Sequence, residues 1–288
     1  NEVHKSNNSS SADGGALGIR REWSSNINPY IRISNSRFTK NKVNHDYGND
    51  GGAARGGAIY VGAPIIMVNT LVDSNSINAI NGNNGNTAGG GLFISIQSQW
   101  DNNNQIYGYS YLINNTIVDN YAGATDQNSA KAAGIFIDNP DQMRGTWFNN
   151  IIWGNRSNGL EDCQNLNRMD ENQFTLVTDY NNVESSEYYS YIMGPNSVDI
   201  DPAFYSATNY QLSAGSPLIG AGTSSYDGHS APQKDILSND RPNPSGSSPD
   251  LGAYENSLAE SPYPKQVQNL VAKPEGGQVS LSWDVNTE

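Results

Sequence analysis

The 288-residue chain is short of positive charge, histidine and cysteine: 16 Lys and Arg stand against 29 Asp and Glu, with three His and one Cys. A net charge of −13 argues against nucleic-acid binding, because affinity for a phosphate backbone depends on clustered Lys and Arg. The lone Cys163 excludes an internal disulfide framework and has no partner at a metal-ligand spacing, so it reads as a small buried side chain. His4, His45 and His229 stand beside no nucleophile motif and no second His four residues on, which leaves hydrolase triads and zincin-type sites without support. The Gly clusters between Gly48 and Gly57 lack the Lys-Ser/Thr ending and the following helix of a phosphate cradle. No apolar run approaches the roughly 20 residues of a membrane-spanning helix. No stretch holds a period near 3.6 long enough for a substantial helix. The chain starts at Asn1, with neither an initiator Met nor a signal-peptide pattern, and reads as a piece of something longer.

What is abundant is Asn and Gly, 40 and 29 residues, the types that tolerate left-handed backbone and favour turns. They are arranged in a repeat. One signature is a Gly/Ala pair followed by apolar residues, at Gly14-Gly15-Ala16-Leu17, Gly56-Gly57-Ala58-Ile59, Gly89-Gly90-Gly91-Leu92 and Ala132-Ala133-Gly134-Ile135. The other is an apolar residue, two variable ones and Asn, at Phe38 to Asn41, Val72 to Asn75, Ile117 to Asn120 and Ile152 to Asn155, each preceded by a further Asn at Asn35, Asn69, Asn115 or Asn150. Short β-branched runs such as Ile65-Ile66-Met67-Val68 and Tyr111-Leu112-Ile113 read as strands.

Short strands with Asn or Gly at each corner, recurring along the chain, predict a solenoid of stacked coils: none buries its apolar face alone, but parallel stacking at about 4.8 Å pairs every strand above and below. Phe38, Val72, Ile117 and Ile152 then form one interior row, and Leu17, Ile59, Leu92 and Ile135 another. Asn35, Asn69, Asn115 and Asn150 are expected to make an amide ladder at a tight corner, a structural role that gives buried polar groups their partners.

The link from the second signature to the next Gly/Ala pair is nearly constant in length, whereas the link from the first signature to the second varies and absorbs insertions. In a stack those variable loops share one edge. They carry Trp23, Trp100, Asp101, Tyr107, Tyr109 and Arg144, and rings mixed with neutral and charged hydrogen-bonding groups suit sugar faces and hydroxyls. Catalysis is the alternative on this edge. Paired carboxylates such as Asp138 with Asp141, or Asp101 with Asp138, would serve glycoside hydrolysis. Lys131 or Arg144 as base, with Asp138 and Asp141 as Ca²⁺ ligands, would serve β-elimination of a uronate, and Ca²⁺ is the cofactor that reading calls for. The acidic balance favours the non-catalytic reading. N-x-S/T sequons fall at Asn7, Asn8, Asn114 and Asn155.

The alternation of Gly56-Gly57-Ala58-Ile59-like strands with Phe38-Thr39-Lys40-Asn41-like motifs resembles the right-handed parallel β-helix repeats of polymorphic outer-membrane proteins. Further on come Asn149 to Asn155, Asp179-Tyr180-Asn181-Asn182-Val183, Asp199 to Phe204, Gly215 to Gly222 and Pro249-Asp250-Leu251-Gly252-Ala253-Tyr254-Glu255. Together these are similar to the C-terminal coils and closing segment of secreted bacterial β-helix proteins of the choice-of-anchor Q type. The resemblance implies an all-β, right-handed parallel β-helix in an extracellular or cell-surface multidomain protein, a scaffold or glycan-binding part, whose enzymatic counterparts act on polysaccharides as lyases or hydrolases. Asp235, Arg241 and Asp250 fall in the closing segment and are read as a salt-bridged cap over the open end of the stack. From Val267 to Trp283 the chain resembles the first two strands of a fibronectin type III domain, a sandwich of about 100 residues. The expected division is 1–198 coils, 199–256 last coil and cap, 257–264 linker and 265–288 the start of that sandwich.

Overall fold

The computed structural model describes residues 2–6, 11–20, 30–46, 53–80, 87–95, 99–101, 104–106, 108–125, 130–138, 143–158, 165, 176–184, 194–261, 271–275 and 278–282. Among them all regular structure is β, and most strands stack in parallel. Five sheets account for the stack. The first holds Glu2–Ser6, Lys42–Asp46, Ser76–Ile80, Tyr121–Ala124 and Arg156–Ser157. The second holds Ala12–Asp13, Ala54–Arg55, Thr87–Ala88 and Ala130–Lys131, and the third Leu17–Ile19, Ile59–Val61, Leu92–Ser95 and Ile135–Asp138. The fourth holds Ile31–Ser34, Ile65–Val68, Gly108–Ile113, Met143–Phe148 and Leu176–Asp179. The fifth holds Arg37–Thr39, Leu71–Asp73, Thr116–Val118, Ile151–Trp153 and Asn182–Val183. The chain visits these sheets in one fixed order on each pass, so every pass lies one layer further along.

The expected columns form. Phe38 pairs with Val72, Val72 with Ile117, Ile117 with Ile152, and Ile152 with Val183. Leu17, Ile59, Leu92 and Ile135 are in register likewise. Both rows belong to one apolar core with Ile33, Met67, Leu112 and Trp147 of the fourth sheet. Each fully buried Ile or Leu contributes about 1.5–3 kcal/mol, so the repeated columns are the main source of stability.

The Gly/Ala signature has a backbone cause. Gly14, Gly56 and Gly89 hold φ of 70°, 67° and 69°, and a Cβ there would run into the carbonyl of the residue three positions on. The turn into the third sheet is therefore left-handed and crowded, which suits glycine.

Two inward amide ladders run along the stack. In the first, the backbone and side-chain N–H groups of Asn41, Asn75 and Asn120 each donate to the Oδ1 of the Asn one layer on, at 2.8–3.0 Å, and Asn155 donates to Asn165. In the second, Asn115 donates to Asn150 and Asn150 to Asn181, while Thr70 takes the position below. The expected row of Asn35, Asn69, Asn115 and Asn150 is thus corrected. Asn35 and Asn69 belong with Asn114 and Asn149, all at φ between 48° and 58°, and this row faces the opposite way, because the second residue of each Asn-Asn pair turns inward. Asn114 and Asn155 are buried, which takes those two sequons out of reach of a glycan.

After a partial layer in which Val198 bridges to Asn182, the chain turns back and runs along the outside of the fourth and fifth sheets. Leu71, Val118 and Ile151 meet Leu212, Leu218, Ile219, Leu251 and Ala253. Val68, Ile113 and Phe148 meet Tyr226 and Ala231. The outward Asn row fixes this segment: Asn69 donates to the Lys234 carbonyl, Asn114 to those of Asp250 and Gly252, and Asn149 to that of Thr223.

The cap reading of Asp235, Arg241 and Asp250 is corrected accordingly. These residues clasp the flank of the stack, which offers a continuous row of amides and apolar side chains. Arg241 pairs with Glu255 at 2.7 Å and also donates to Asn69 and to the Gly252 carbonyl. Asp235 accepts backbone N–H groups of Leu237, Asn239 and Glu255, and Asp250 those of Gly220 and Asn256. Near the end of the chain, Val271–Glu275 and Gln278–Ser282 pair as an antiparallel hairpin, and the side chains of 271–274 and 278–282 are exposed.

Candidate functional site

The insertions enter the stack at one corner, between the third and fourth sheets. There the second layer turns in three residues, Gly62 to Pro64, whereas the third carries an antiparallel hairpin of Gln99–Asp101 and Asn104–Ile106. The fourth sheet begins where these insertions end, so its first outward residues stand at their edge. Tyr30 immediately precedes Ile31, and Tyr109 lies in register beside Arg144. Two positions on, the outward column reads Arg32, Ile66, Tyr111, Thr146 and Val177.

Three tyrosines cluster on this face. Residues i and i+2 of a strand point to the same side, which brings Tyr109 and Tyr111 to a centroid separation of 6.2 Å with their planes only 5° apart. Tyr30 lies 6.4 Å from Tyr111. Tyr30 and Tyr109 are exposed by 49% and 36%, the reverse of what packing anchors show. A fourth ring comes from the returning segment: His229 sits 4.6 Å from Tyr111. It is carried by a tight hairpin of Ser225–Tyr226 and His229–Ser230. The connecting Asp227 and Gly228 have φ of 47° and 76°, the two positive values that an Asp-Gly turn matched to strand twist requires. Asp227 pins the hairpin by accepting from Thr146 Oγ1 at 2.7 Å. Tyr226 packs against Phe148 and Tyr180.

Burial and the neighbouring Tyr109 push the Tyr30 phenol above its ordinary range, and burial with Tyr30, Tyr109 and Asp227 does the same to Tyr111. Both stay neutral and keep their O–H donors. The face therefore offers flat apolar rings bearing hydroxyls, with the Arg144 cation one layer on from Tyr109.

Of the residues singled out from sequence, the structure brings Tyr109 and Arg144 together. Trp23, Tyr107 and Asp141 lie outside the described residues, as do the side chains of Trp100 and Asp101, whose backbones form the inserted hairpin. Asp138 ends its strand in the third sheet and accepts from Ser95 Oγ at 2.9 Å. Arg144 donates to the Met143 carbonyl. Lys131 belongs to the second sheet, not to the insert-bearing corner. Among the described residues no three His, Cys, Asp or Glu side chains are placed to hold a metal ion. Sequence reasoning missed Tyr30, Tyr111 and His229. The alternation Tyr109-Ser110-Tyr111 within a strand was the signal for the second; His229 had none. No family model, curated protein or solved structure matches the chain.

Proposed function

We propose that the chain is a right-handed parallel β-helix module of an extracellular or cell-surface protein, and that it binds a glycan across the tyrosine face of its fourth sheet. The near-parallel, partly exposed pair Tyr109 and Tyr111 carries this reading. Rings held on a strand lose little freedom when they cover the apolar face of a sugar. The net charge of −13 favours a neutral polymer over an acidic one. The antiparallel pair of Val271–Glu275 and Gln278–Ser282 supports reading that end as the first strands of a fibronectin type III-like domain, such as joins modules in secreted proteins.

The experiment is affinity electrophoresis of the chain in gels containing neutral polysaccharides, with acidic ones alongside. Retardation by a neutral polymer that Tyr109→Ala and Tyr111→Ala each abolish is the expected result. Retardation by no polymer, or retention insensitive to both substitutions, overturns the reading. Polysaccharide turnover abolished by Asp138→Ala or Arg144→Ala would replace it with the lyase or hydrolase alternative.

A further inference from the structure

Where the returning segment crosses the upper layers of the fifth sheet it seals against them with apolar side chains. Beside Arg37, Thr39 and Asp73 of the first two layers it stands off, while Leu71 stays within the apolar seal. A groove of about 350 Å³ opens there between the outer face of the sheet and the segment around Tyr210 and Tyr254. The sheet's own sequence changes at this point. The outward column that reads Val118 and Trp153 in the later layers reads Thr39 and Asp73 in the earlier ones. In the neighbouring outward column only the first layer is charged, Arg37 being followed by Leu71, Thr116 and Ile151. Polar groups replace apolar ones just where the gap is, so the opening is lined for a polar occupant.

The groups in it are specific. Asp73 is only 5% exposed yet lines the groove, and Thr39 Oγ1 donates to its Oδ1 at 2.5 Å. Arg37 lies over the Tyr254 ring at 5.8 Å, and both line the groove. The Tyr210 hydroxyl donates to Asp119 Oδ2 at 2.9 Å, which turns this wall of the groove polar and fixes its position. The two formal charges of the groove, Arg37 and Asp73, cancel, while Asp119 and Asp235 add negative potential beside it. That balance disfavours uronates, sulfates and phosphates. A carboxylate acceptor and a guanidinium donor, set apart in a groove sized for one or two pyranose rings, match vicinal hydroxyls.

We propose that this groove is a second carbohydrate subsite, taking a single uncharged sugar unit through Asp73 and Arg37. The ligand class rests on the glycan reading above, but the residues and the location are separate from the tyrosine face. The test is titration calorimetry and saturation-transfer NMR with the methyl glycosides of glucose, galactose, mannose and N-acetylglucosamine. At least one should bind, and Asp73→Asn and Arg37→Ala should each weaken it by at least about tenfold. Arg37 is exposed, so its substitution leaves the core intact, and thermal melting of each variant reports any loss of fold. The proposal is overturned if none of the glycosides binds up to about 10 mM, if binding is indifferent to Asp73 and Arg37, or if methyl glucuronide or a free amino acid occupies the groove in preference. Retention on polysaccharide that fails while groove binding persists removes only the tyrosine-face reading; the converse removes only this one.

Discussion

Arg241 Nη1 donates to Asn69 Oδ1 at 2.6 Å, joining two residues 172 positions apart and both nearly sealed from solvent. Asn69 is held left-handed at a corner of the second layer, with φ of 48°, so its amide points outward to the segment that folds back over it. The same guanidinium pairs with Glu255 and donates to Gly252. One side chain thus ties the returning segment to itself and to the stack.

Removing that cation leaves Glu255 buried without its partner. Arg241→Ala is expected to cost about 3–5 kcal/mol, read as a lower urea midpoint, and to expose residues 201–256 to limited proteolysis before the stack is cut. Equal protection of that segment in wild type and variant would show that the apolar contacts alone hold it.

The clasp is also predicted to respond to pH. Burial, and next the charge of Glu255, push Asp250 up to about 7, and Glu255 is itself raised by burial. A carboxyl raised in the folded state binds its proton more tightly there than in the unfolded chain. Its contribution is therefore greatest below the ordinary Asp value near 4 and is lost as pH rises through about 7. Glu184, lowered by Arg156 and other hydrogen bonds despite burial, acts the opposite way and loses its contribution only at acid pH. Between pH 5 and 8 the Asp250 effect should dominate: urea midpoints should fall across that range in wild type and fall less in Asp250→Asn.

The inward ladder gives a third outcome. Asn120 Oδ1 accepts from both the backbone and side chain of Asn75, while its own amide donates to Asn155 and to the Val72 carbonyl. Asn120→Ala orphans groups on the layers to either side, at about 1–3 kcal/mol each. Asn120→Asp puts a carboxylate oxygen against two acceptors and should be at least as damaging. A variant with unchanged thermal midpoint would mean that water or relaxation replaces the ladder.

Glycine substitutions separate strain from crowding. Gly228 has φ of 76° and open space around a Cβ, whereas Gly56, at 67°, has the Ile59 carbonyl where a Cβ would lie. Gly228→Ala should cost about 1–2 kcal/mol from the left-handed backbone alone, and Gly56→Ala clearly more, both measured by chemical denaturation. Similar values would show that the corner relaxes.

The layered columns were legible because stacking in register places each residue over its counterpart, so chemistry repeated in space is repeated along the chain. Phe38, Val72, Ile117 and Ile152 follow from that alone. The Asn corner was legible only to within one residue. Asn35 and Asn69 precede their apolar partner by three positions and Asn115 and Asn150 by two, a difference that marks opposite orientations once the left-handed corner is known.

By itself, then, the sequence determined an all-β chain of parallel layers, the register of its core and the corner where insertions collect, since local turn chemistry and apolar periodicity act over a few residues. Tertiary structure alone decided that the closing segment doubles back along the flank, that His229 reaches Tyr111, and that Tyr210 and Tyr254 face Arg37 and Asp73 across a gap. Those contacts join residues far apart along the chain, 74 positions for Asn149 with Thr223 and 172 for Asn69 with Arg241, and occur once each. Nothing repeats to announce them, and only the folded surface, with its outward amides and apolar side chains, selects where the returning chain lies.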